Sequence, residues 1–167
     1  MDDSAGSEAP KTLLITLTGK DRPGVTSAIF ATLSHAGVEV LDIEQIVLRR
    51  RLVLGVLVSA PRDWRKLRDA VDETASAMDM QVEVDRGVGD NRARRHGRSH
   101  VTVIGTPLKA SAMAAVAGRI ADSGANIDRI ERMARYPVTA IDLHVSGADP
   151  EMLRRSRLAG WTAMSMD

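Results

Sequence analysis

With 167 residues, 23 basic against 22 acidic side chains and a net charge of +1, the chain lacks the overall field that holds a protein on nucleic acid without sequence preference. Cysteine is absent, which excludes disulfides and thiolate chemistry and suits a reducing compartment, with the cytoplasm as the expected location. Hydrophobic residues make up 44% but aromatic ones only 2%, so a core must be built from Val, Leu, Ile, Ala and Met, in a length that fits two small units.

Residues 1–10 are acidic and polar and read as a flexible tail, not a signal peptide. Leu13, Ile15 and Leu17 then alternate with Leu14, Thr16 and Thr18, the pattern of a strand with one face on a core. A turn over 19–24 leads to Val25, Ile29, Leu33 and Ala36 at helical spacing, and Gly37 stands where a left-handed residue ends a helix. Val38 to Leu48 reads as a second strand. Leu52 to Val58 reads as a third, apolar on both faces and so expected to be covered on both sides. Asp63 opens a second helix with Leu67, Val71, Ala75 and Met78 in one stripe, and Val82 and Val84 belong to a closing strand. The order β-α-β-β-α-β is the split plan of an α+β, ferredoxin-like unit, a four-stranded antiparallel sheet with two helices on one face.

The same unit recurs. A shift of 87 places Val25, Ile29, Leu33 and Gly37 on Ala112, Val116, Ile120 and Gly124, and Val58-Ser59 on Val145-Ser146. Upstream the shift is 86, pairing Gly19 with Gly105. The units are therefore expected at 11–86 and 99–155, joined by a linker over 87–98 that is rich in Gly and Arg. In the second, strands are expected around Val101 and Val103, from Ala125, and from Val138 to Val145; a helix runs through Met113, Val116 and Ile120, and another begins at Asp149-Pro150. Shifting Met80 by 87 gives position 167, so the second unit is expected to be incomplete, without its last strand, and 156–167 to be an atypical, truncated or frame-shifted tail.

Asp21-Arg22-Pro23-Gly24-Val25, between first strand and first helix of a βαββαβ unit, resembles the ACT domain, a small regulatory module that binds amino acids. The nearer likeness is to the tandem ACT domains in the N-terminal regulatory region of actinobacterial, mycobacterial-type phosphoserine phosphatases. It is carried by Leu14-Ile15-Thr16 through Thr26-Ser27-Ala28, by Val47 with Leu54 to Val58, and by Asn126-Ile127-Asp128 followed by Tyr136-Pro137-Val138-Thr139. In that family the chemistry belongs to a separate Mg²⁺-dependent domain with an Asp-x-Asp-x-Thr nucleophile motif. No Asp-x-Asp occurs in this chain, so the resemblance implies the regulatory part of serine biosynthesis without catalytic residues and without a cofactor of its own.

The loop Asp21 to Thr26 has its own physical case for holding an amino acid. Pro23 presets a helix-compatible φ, Gly24 lets a ligand reach the backbone, the first-turn N–H groups attract a carboxylate, and Asp21 can take an ammonium. The bland alternative is a well-formed helix start. The resemblance places the opposing side of the site at the second strand of another unit, Asn126, Ile127 and Asp128, with Asn126 suited to a serine-sized side chain. The expected ligand-binding set is therefore Asp21, Arg22, Pro23, Gly24, Val25, Thr26, Asn126, Ile127 and Asp128, with L-serine as ligand and a homodimer formed by ACT pairing. Because the second copy has Ala110-Ser111 where the first has Pro23-Gly24, the pair is expected to be asymmetric.

Arg92 to Arg98 reads as a solvated linker and not a nucleic-acid contact, since it lacks stacking residues. His96 and His100 give no metal site by spacing alone, and His35 and His144 read as surface residues. No apolar run is long enough to cross a bilayer, so no membrane partner is expected. Two other readings stay open: an active phosphoserine phosphatase, and a free-standing ACT-pair regulator acting through protein partners.

Overall fold

Alternation in the first strand becomes the floor of a core. In the computed structural model, which describes residues 10–89, 97–147 and 162–164, Leu13, Ile15 and Leu17 of β1 (Lys11–Lys20) are fully buried. The chain divides into two units, 1–92 and 93–167.

In the first unit β1 is followed by α1 (Val25–His35), β2 (Val40–Leu48), β3 (Arg51–Ser59), α2 (Trp64–Ala77) and β4 (Gln81–Val88). The sheet is antiparallel with order β2-β3-β1-β4. Its core joins the inward residues of β1 to Leu52, Leu54, Val56 and Val58 of β3, Val25, Ile29 and Leu33 of α1, and Leu67, Val71 and Ala75 of α2. Thr32 and Thr74 hydrogen-bond between the two helices at 2.8 Å. Gly37, at φ 63°, and Gly124, at φ 74°, follow α1 and α3 (Ala110–Asp122) at equivalent places in the repeat, as the C-cap pattern requires.

The third strand corrects one expectation. Within the first unit its inner face, Leu52, Leu54, Val56 and Val58, is buried, while on the outer face Val53 is exposed and Leu57 half-buried, the uneven burial of an antiparallel sheet. The linker is also shorter than expected: β4 continues through Gly87-Val88, pairing with Thr12 and Lys11, and β5 (Arg98–Gly105) begins inside the expected linker. Both ends extend because sheet pairing satisfies backbone groups that a loop would leave to water.

The second unit runs β5, α3, β6 (Asn126–Ala134), β7 (Thr139–Ser146) and β8 (Thr162–Met164), with sheet order β6-β7-β5-β8. Val101 and Val103 of β5, Val116 and Ile120 of α3, and Leu143 and Val145 of β7 form its core. The helix expected at Asp149-Pro150 lies outside the described residues. Among the described residues a last strand of β4's length is not seen. Three residues, Thr162–Met164, pair with Thr102 to His100 instead, so the expected tail 156–167 contributes to the sheet. The gapless shift misplaces this strand because residues 147–161 connect it to β7, a shorter path than residues 60–80 in the first unit.

Candidate ligand site at the start of the first helix

The chain leaves β1 through Lys20 and turns into α1 over the segment expected to bind ligand. Gly24 is the helix N-cap at φ 94°, a left-handed conformation that glycine adopts without strain. A Cβ built there meets no atom within 4 Å, so the space beside the backbone is open. The helix end has no side-chain cap and no acid in its first turn. The N–H groups of Thr26 and Ser27 therefore lack the side-chain acceptor usual at a helix start, which is what an anionic ligand replaces.

Neighbouring residues fix this loop. The Asp21 N–H donates to the Arg50 carbonyl at 2.8 Å, and the Arg22 guanidinium donates to Asp79 at 2.9 Å. Thr26 Oγ1 donates to Gln45 Oε1 of β2 at 2.8 Å, and Val25 is buried beneath the helix start. Asp21, Arg22, Pro23 and Gly24 are exposed. The structure thus brings Asp21 to Thr26 together around an open helix terminus, and it adds Gln45 and the Arg49-Arg50 turn, which sequence reasoning missed. That turn has positive φ at both arginines, 47° and 66°, the geometry of a tight hairpin in which Asn and Gly are usual. The Lys20–Arg51 pairing places further positive charge at the same end of the sheet.

Asn126, Ile127 and Asp128 open β6 in the second unit. Asn126 Nδ2 donates to Asp128 Oδ1 at 2.8 Å, and the pairing with β7 skips between Ile127 and Arg129, so Asp128 sits on a β-bulge. The same irregularity occurs at Leu41 in β2, the equivalent place in the first repeat. Bulges commonly re-aim side chains beside binding sites. The two groups of expected ligand residues belong to different units, each defined within its own.

The loop of the second unit differs, as the sequence difference implies. Lys109 caps α3 in an extended conformation, at φ −85° and ψ 146°. Leu108 lies against Gly105, where an added Cβ would be 2.9 Å from the Leu108 Cα, and its side chain packs on the core. A shallow depression of about 310 Å³ elsewhere on the first unit is lined by residues of β1, β3 and β4 with Gly89, and none of Asp21 to Thr26 contributes to it.

Residues 11–85 match the ACT domain family model, and residues 98–166 match a second ACT domain model. The chain belongs to the ACT family. Among curated proteins, the phosphoserine phosphatase of Streptomyces coelicolor is 48% identical over 169 residues, covering 100% of this chain and 41% of that protein. Phosphoserine phosphatase SerB2 of Mycobacterium tuberculosis is 43% identical over 141 residues, 83% of this chain and 34% of that protein. The chain therefore spans well under half the length of either phosphatase. Solved structures share the fold: an unknown protein from Galdieria sulphuraria, with TM-score 0.68 and 20% identity, covers 87% of this chain and 85% of its own. A candidate glycine cleavage system transcriptional repressor, with TM-score 0.66 and 15% identity, covers 87% and 86%.

Both matched segments are ACT domain, and the residues of these 167 outside them are too few for a phosphatase domain. Among the described residues, no helix is long and apolar enough to cross a membrane. Strand register in the second ACT unit also brings together three residues the sequence reading kept apart. His100, Asp142 and His144 present ligand-type atoms that all lie within 4.8 Å of one another.

Proposed function

We propose that this tandem ACT chain is an amino-acid-binding regulatory module, with L-serine as its ligand, belonging to a phosphoserine phosphatase-like protein of serine biosynthesis. The observation that carries the reading is the uncapped α1 terminus, with Gly24 at φ 94° and open space beside it. In this arrangement the ligand carboxylate accepts from the N–H groups of Thr26 and Ser27, and Asp21 accepts from its ammonium. Asn126 at the β6 start of a second copy of the chain hydrogen-bonds the hydroxyl. The relatives' names support serine because an end product is the natural effector of a biosynthetic phosphatase.

The module acts in the cytoplasm as a homodimer paired through its ACT sheets. Serine shifts the arrangement of the units only by binding one arrangement more tightly than another. Calorimetric titration with L-serine, glycine and L-phosphoserine tests the reading, alongside a Gly24→Leu variant whose fold is checked by circular dichroism. The expected result is saturable heat with serine on the natural sequence and its loss in the folded variant. Equal heats from both proteins would remove the site.

A further inference from the structure

The outer face of the second sheet carries a set of side chains that the fold does not require. Because successive residues of a strand point to opposite faces, Val101, Val103, Leu143 and Val145 take the core while His100, Thr102, Asp142 and His144 share the other side. His100 and His144 are direct partners across β5 and β7; Asp142 is the partner of Thr102 on one side and of Glu131 on the other. The first unit holds Leu14 opposite Leu57 at the positions of the histidines, and Gly55 at the position of Asp142. Two leucines and a glycine thus serve the same sheet, so the polar set in the second unit has a reason other than folding.

Its geometry is convergent. His100 Nδ1 lies 2.8 Å and His144 Nε2 3.3 Å from the same oxygen, Asp142 Oδ2. Glu131 Oε2 lies 3.8 Å from His144 Nε2, while its Oε1 takes Arg129 at 2.7 Å. Thr102 Oγ1 donates to Asp142 Oδ1 at 3.4 Å. Asp142 is only 8% exposed, and a carboxylate so placed needs compensating partners. A tetrahedral cation with bonds near 2.0–2.1 Å requires ligand atoms about 3.3 Å apart; here the two ring nitrogens lie 2.8 and 3.3 Å from the Asp142 oxygen, and all three atoms lie within 4.8 Å of one another.

We propose that His100, Asp142 and His144 form a binding site for a divalent transition cation of zinc type, with the Glu131 carboxylate beside it as a fourth ligand. Two imidazole nitrogens with carboxylate oxygen select such an ion over magnesium or calcium, which prefer all-oxygen shells. Binding replaces the contacts between the ring nitrogens and Asp142 with bonds to the ion, each neutral imidazole carrying its single proton on the ring nitrogen away from the metal. Held between β5 and β7, the ion links the central strand of the second sheet to its neighbour.

The test uses the full chain stripped with a chelator and titrated with zinc chloride, followed by calorimetry and by thermal unfolding. Cobalt chloride serves as a spectroscopic probe of tetrahedral coordination. The natural chain is expected to bind one ion per chain, to unfold at higher temperature with zinc, and to give the intense visible bands of tetrahedral cobalt. The double variant His100→Leu and His144→Leu copies the Leu14–Leu57 pair of the first unit, so it is expected to fold without metal and to lose all three responses. Asp142→Asn should lose them as well, whereas His35→Ala and His96→Ala should keep them. Zinc binding that survives in the folded double variant, or no binding by the natural chain, would overturn the proposal.

Discussion

Replacing Gly24 by alanine isolates backbone strain from steric clash. At φ 94° an L-residue is held in the left-handed half of conformational space, costing about 1–2 kcal/mol. Alanine also restricts the unfolded chain, which offsets about 0.4–1 kcal/mol of that cost. No atom lies within 4 Å of the added Cβ, so no collision enters the balance. The net loss is therefore about 1 kcal/mol, or a fall in midpoint of about 4–8 °C for a domain of this size. Gly24→Asn, which tolerates the left-handed region better, should lose less. Thermal and urea unfolding followed by circular dichroism measure the series. An alanine variant as stable as the natural chain would refute the left-handed assignment. A Gly24→Leu variant far less stable than Gly24→Ala would refute the open space.

Truncation of Ile15 to alanine removes a fully buried side chain from the central strand of the first sheet, so urea unfolding should show a loss of about 2–5 kcal/mol. Ser99 is buried and its hydroxyl has no hydrogen-bond partner among the described residues; Ser99→Ala should leave stability unchanged or raise it by about 1 kcal/mol, and a clear loss would reveal a partner. Edge strand β2 exposes Val40, Leu41, Ile43, Ile46, Val47 and Leu48, a surface suited to pairing with a second copy. The double variant Ile43→Lys and Ile46→Lys should weaken a homodimer in sedimentation velocity while each chain stays folded; an unchanged mass would place the interface elsewhere.

Much of the fold was legible because burial imposes simple periods. The alternation of Leu13, Ile15 and Leu17, and the helical spacing of Val25, Ile29 and Leu33, each reappear as buried faces. Gly37 and Gly124 end their helices as glycines at repeat-equivalent places should. Other features depend on pairing between distant segments, which local pattern does not encode. Arg49-Arg50 makes a tight turn without the usual Asn or Gly because the flanking strands dictate its geometry. The bulges at Leu41 and Asp128 arise from register with β3 and β7. His100 and Asp142 stand 42 positions apart in the chain and meet only through strand pairing. The signal that could have found them was comparison of the repeats, since His100 and His144 replace the Leu14 and Leu57 of the first copy. At the ligand loop, the sequence supplied Pro23-Gly24 and its reason, while the left-handed φ and the contact with Gln45 came from the structure.

Amino-acid sensing by this chain depends on main-chain amides at the start of α1 receiving the ligand's carboxylate. A ¹⁵N-resolved NMR titration of the full chain with L-serine tests that most directly. The amide signals of Gly24, Val25, Thr26 and Ser27 are expected to move together and to saturate, accompanied by the Asn126 side-chain amide. A saturating response that leaves those amides unmoved, or no response at millimolar serine, would contradict it.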